Sequence, residues 1–124
     1  MNVQVEIKEL ENLDEITRET DFGCEVRITD LSTDKAVSVV EGILSTLKVI
    51  EVTHYRKGTE VFYRTIIKGV GFSVDVYSGL GSGYNGEGPR GFQRVLQKIG
   101  LNEEQAQVAF DRGYENAVIS IKFS

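Results

Sequence analysis

The sequence predicts an α+β domain built on a single, mostly antiparallel sheet with its helices packed on one face. Two observations carry that prediction. Residues 49–77 hold three consecutive segments of strand periodicity separated by short breaks, the pattern of an antiparallel meander. Residues 33–47 and 89–99 instead space their apolar side chains as a helix does. At 124 residues the chain reads as one domain, 1–124, of a size that buries a core without disulfides or metal.

The elements follow in the order β-β-α-β-β-β-α-α-β. The first strand is expected over 2–10, where Val3, Val5 and Ile7 alternate with Asn2, Gln4, Glu6 and Lys8. An acidic surface connection follows, carrying Glu9, Glu11, Asp14, Glu15, Glu19 and Asp21. A second strand over 24–29 points Cys24, Val26 and Ile28 inward. Ser32 or Thr33 then caps a helix over 33–47, whose inner stripe is Ala36, Val37, Val40, Ile43, Leu44 and Leu47. Strands are expected over 49–56, 60–68 and 70–77, with Arg56-Lys57-Gly58-Thr59 as the first turn.

The second long helix is expected from Pro89 to Ile99, with Gly88 as N-cap, Phe92, Val95, Leu96 and Ile99 inward, and Gly100 as C-cap. Asn102 and Gln105 form a capping-box pattern for a third helix, with Ala106, Phe110, Gly113 and Ala117 on its inner side. Residues 117–123 close the chain as a strand.

Composition narrows the function classes. The chain is 40% hydrophobic and 27% charged, which excludes a disordered polymer. Its formal net charge of -5 argues against a nonspecific nucleic-acid coat and suits a basic protein partner. One cysteine forms no intrachain disulfide, the N-terminal residues lack an apolar signal core, and no apolar run reaches membrane-spanning length. The expectation is a cytoplasmic protein that does not enter a membrane.

The richest local feature is Gly79-Leu-Gly-Ser-Gly-Tyr-Asn-Gly-Glu-Gly-Pro-Arg-Gly91, which holds six of the thirteen glycines and the only proline. Within it, residues 81–86 match G-x-G-x-x-G, but neither the expected helix start nor the elements that follow fit a doubly wound dinucleotide fold. A loop feeding a helix start does suit an anion, because free N–H groups and the helix dipole converge there. Arg90 in the first turn calls for a negative partner, which either Glu87 or a ligand supplies.

The expected ligand site therefore comprises Gly83, Tyr84, Asn85, Gly86, Gly88, Arg90 and Gly91. Tyr77 or Tyr84 would stack on a ring, and Arg56, Lys57, Arg64 and Arg94 would complete the positive charge. His54 and Cys24, each unique, fall on apolar strand faces and read as buried structural residues. One Cys and one His do not complete a zinc site, no catalytic residue is assigned, and no cofactor or metal is expected.

The function expected is non-enzymatic: holding or sequestering a small anionic, nucleotide-like ligand, as phage proteins do that neutralise immune signalling nucleotides. A homodimer or larger assembly is expected, homodimers being the commonest. One alternative is an inhibitor or immunity-type protein acting on a basic protein through the acidic face. Another is a small enzyme acting on a phosphorylated substrate.

Overall fold

The computed structural model describes residues 2–12, 24–29 and 31–124. Its elements are β1 (Val3–Glu9), β2 (Cys24–Ile28), α1 (Thr33–Leu44), β3 (Val49–Lys57), β4 (Phe62–Gly69), β5 (Phe72–Tyr77), α2 (Glu87–Ile99), α3 (Glu103–Ala106) and β6 (Asn116–Phe123). The acidic connection from residue 13 to 21 and the side chain of Cys24 lie outside the described residues.

The fold is α+β, with one six-stranded sheet in the order β1-β6-β3-β4-β5-β2. The meander β3-β4-β5 forms as expected, and β6 returns to pair between β1 and β3. Every pairing is antiparallel except β2 with β5, which is parallel. No helix among the described residues is long and apolar enough to cross a membrane.

Strand alternation sorts the sheet into two unlike faces. On the helix-covered face, register sets Val52, His54 and Arg56 of β3 opposite Ile67, Thr65 and Tyr63 of β4. Val52, Ile67, Val74, Ile119 and Ile121 pack there with Val37 and Val40 of α1 and Phe92, Val95 and Leu96 of α2. The opposite face carries Tyr55, Arg64, Asp75 and Tyr77.

Several boundaries move for local reasons. Ser32 caps α1, its side chain accepting from the Lys35 N–H at 3.5 Å. The helix stops at Leu44 rather than 47, where the Ser45 and Thr46 hydroxyls bond back to the carbonyls of Gly42 and Ile43 at 2.7 and 2.9 Å. The β3–β4 turn sits later than expected, at Gly58–Glu60 with Val61 left-handed at φ 51°. The Asn102–Gln105 capping box forms. Its helix lasts one turn and tightens into a 3-10 turn over Gln107–Phe110, so Gly113 and Ala117 lie outside it.

The start of α2 differs most. Gly86, not Gly88, is the N-cap, and the Arg90 N–H already donates to the Gly86 carbonyl at 3.1 Å. The expected open N–H groups at residues 90–92 therefore do not arise. Just before this start, the Tyr84 ring lies back on its own loop. A Cβ at Gly81 or Gly88 would come within 3.1 or 2.7 Å of the Tyr84 hydroxyl, and one at Gly86 within 2.5 Å of its ring. Three of the loop glycines are thus a seat for Tyr84.

Candidate functional site

The site forms where β3 and β4 end beneath the glycine loop. Arg56 and Tyr63 are a cross-strand pair near the ends of those strands, on the helix-covered face. The loop passes over them, and Gly83, at φ 84°, makes room for the guanidinium: a Cβ there would lie 2.7 Å from Arg56 Nη1. Its N–H is anchored to the Ala109 carbonyl at 2.9 Å.

Arg56 is 3% exposed. Its Nη1 donates to Ser82 Oγ at 3.1 Å and to the Asp111 carbonyl at 3.0 Å, and its Nη2 donates to the Tyr114 carbonyl. All three acceptors are neutral. Among the described residues no carboxylate forms an ion pair with it. Burial pushes its pKa below the usual guanidinium value, while the more distant Asp111 charge pulls the other way. A buried charge is ordinarily paired, because the loss of hydration is otherwise uncompensated.

Behind Arg56 runs a hydrogen-bonded chain. His54 is fully buried, its Nε2 2.9 Å from Ser82 Oγ and its Nδ1 2.7 Å from Thr65 Oγ1. Arg56 donates to Ser82, and either neutral tautomer of His54 satisfies the rest: Ser82 donates to Nε2 while Nδ1–H donates to Thr65, or Nε2–H donates to Ser82 while Thr65 donates to Nδ1. The ring also stacks on Phe92 with centroids 4.2 Å apart. Burial, aided by Arg56, lowers the His54 pKa to about 3. Protonating such a ring from solution at pH 7 is uphill by roughly 5 kcal/mol, and taking the proton from a serine hydroxyl is costlier still. The chain therefore suits holding Arg56 and Ser82 in place rather than activating a nucleophile.

A cavity of about 250 Å³ opens above Arg56, lined by Tyr63, Ser82, Gly83, Tyr84, Arg112 and Tyr114 and also by Gly58 and the acidic Glu115. Tyr63 and Tyr84, their ring centroids 6.2 Å apart, also wall a second cavity of about 190 Å³ reaching Thr33, Gly79 and Gly88. The two non-glycine residues with left-handed backbone among the described residues, Val61 and Ser78, both line that second cavity. Burial raises the Tyr63 pKa, so its hydroxyl stays a donor, and it has no hydrogen-bond partner among the described residues.

No protein-family model, curated protein or solved structure matches the chain.

Of the residues expected from sequence, Arg56, Gly83 and Tyr84 meet at the larger cavity, and Gly88 lines the smaller one. The others lie elsewhere. Arg64 points to the opposite sheet face, where Nε and Nη2 grip Asp75 at 3.0 and 2.7 Å and the guanidinium sits 4.9 Å over the Tyr77 ring. Tyr77 thus covers a cation of its own chain. Lys57 pairs with Glu60 at 3.0 Å, and Arg94 pairs with Glu41 of α1 at 2.9 Å. Arg90 is exposed and donates to the Asn85 side-chain oxygen at 3.3 Å, and it forms no ion pair with Glu87. Gly86 serves as N-cap, and Gly91 packs on Thr33 and Val37.

Sequence reasoning missed Tyr63, Ser82, Arg112 and Tyr114. Tyr63 shares strand parity with Thr65 and Ile67, a signal that was present. Arg112 and Tyr114 arrive from a loop about fifty residues distant in the chain, and no local pattern announces them.

Proposed function

We propose that this chain holds a small anionic, nucleotide-like ligand at the cavity over Arg56 and does not turn it over. The observation that carries the proposal is the buried Arg56 guanidinium, which opens onto a cavity and is met by neutral oxygens alone. A phosphate there would supply the missing negative charge through short charge-assisted hydrogen bonds. Arg112 adds a second, exposed cation on the wall, and Tyr84 and Tyr114 offer rings on which a base can lie. The low basicity of His54 supports retention over catalysis.

Native mass spectrometry of protein purified from cells should show a retained phosphate-containing mass. Nucleoside phosphates should raise the melting temperature by several degrees at saturating concentration, since a ligand at 100 times its Kd adds about 2.7 kcal/mol. A clean unliganded mass together with no thermal shift across a nucleotide panel would contradict the proposal.

A further inference from the structure

We infer that the free edge of β1 is a self-pairing surface, where a second copy of this chain adds its own β1 antiparallel and continues the sheet. This rests on β1 and its surroundings and is independent of the ligand proposal. Among the described residues, β1 stands at one end of the sheet and pairs with β6 alone. Its register fixes which backbone groups are used. Asn2 exchanges both hydrogen bonds with Ser124 at 3.1 and 3.0 Å, and the Leu10 N–H reaches the Asn116 carbonyl at 2.9 Å. By alternation, Asn2, Gln4, Glu6, Lys8 and Leu10 face β6, so the N–H and C=O groups of Val3, Val5, Ile7 and Glu9 face outward. An exposed row of this kind is a template for another strand.

The side chains on that edge need cover as well. Val5 is 38% exposed, unusual for the middle of an apolar stripe. Beneath it an open groove of about 490 Å³ runs between β1, α3 and the 3-10 turn, its apolar lining from Val5, Ile7, Val108 and Phe110 and its polar lining from Glu104, Gln105, Gln107 and Asp111. A neighbouring strand would place its own apolar row over this groove.

The strand's sequence selects a second copy as the occupant. With the twofold axis at Val5, Val3 of one copy lies opposite Ile7 of the other, and Val5 opposite Val5, all on the groove side. On the other side Gln4 meets Glu6, and Asn2 meets Lys8. No like charges face one another, and about six inter-chain hydrogen bonds form. Centring the axis on Glu6 would oppose two glutamates, and centring it on Ile7 would set Val5 against Glu9. The Glu6–Lys8 ion pair at 2.8 Å within each strand is retained in the favoured register.

The same alternation supplies the test. Val5→Pro removes an outward N–H and leaves the β1–β6 ladder intact, as edge strands tolerate. Val5→Lys keeps the backbone and places a charge on the twofold axis. Sedimentation velocity of the full chain should show a dimer for wild type and monomers for both variants, with unchanged circular dichroism. If Val5→Pro disturbs the fold, Val5→Lys alone decides. A monomeric wild type, including one that takes up an extended peptide along this edge, overturns the proposal, as does a dimer that survives Val5→Lys.

Discussion

Two arginines in this protein are buried to nearly the same degree and differ in what answers them. Arg64 is held by both oxygens of Asp75, on the face away from the long helices. Arg56 has carbonyl and hydroxyl oxygens alone, and a cavity before it. The sequence groups the two through the β3–β4 hairpin, but register sets Arg56 against Tyr63 and Tyr55 against Arg64, so the guanidiniums leave opposite faces. Beside Arg56, His54 gives a pH signature. Its pKa is about 3 when folded against an ordinary 6.5. Above pH 6.5 the ring is neutral in both states and its contribution is fully present. As pH falls from there towards 3, the unfolded chain takes the proton and the folded one does not, so stability drops by up to about 1.4 kcal/mol per pH unit. Urea titrations of wild type and His54→Gln should show the variant less stable at pH 7 but with a shallower pH slope between pH 6 and 4. Equal slopes would mean that the ring is not held neutral.

At the scale of elements, the clearest case is the packing of α2 on α1. Two helical glycines should respond to alanine with opposite signs. In α1, a Cβ at Gly42 meets nothing within 4 Å, so Gly42→Ala should stabilise by about 1 kcal/mol through helix propensity. In α2, a Cβ at Gly91 would run into Thr33 Cγ2 and lie 3.0 Å from Val37 Cγ2, so Gly91→Ala should destabilise by about 1–3 kcal/mol despite the same propensity gain. Thermal or urea melts of the two single variants measure this contrast. Much at this scale was legible in sequence. Alternation and helical spacing are local signals, and they placed each strand and both long helices. The start of α2 was not legible from Gly88-Pro89, because a proline anywhere in the first turn leaves no needed N–H unmade, and here it stands three residues after the Gly86 cap.

For the whole molecule, the two faces and the β1 edge of the sheet differ in what they present. One face buries the Arg64–Asp75 pair, the other opens at the strand ends over Arg56, and among the described residues β1 has one edge without a partner strand. The glycine run lies over the cavity at Arg56 proposed as the ligand site. That cavity is beneath the loop rather than at the helix start, and Arg112 and Tyr114 line it from far along the chain. Calorimetric titration of a nucleoside monophosphate into wild type, Arg56→Gln and Arg90→Ala separates those two surfaces, with circular dichroism confirming that each variant is folded. Loss of a charge-assisted hydrogen bond of roughly 2 kcal/mol predicts binding about thirtyfold weaker in Arg56→Gln. Arg90→Ala, which alters only an exposed side chain at the helix start, should bind as wild type does. Binding that survives Arg56→Gln and fails in Arg90→Ala would contradict the account.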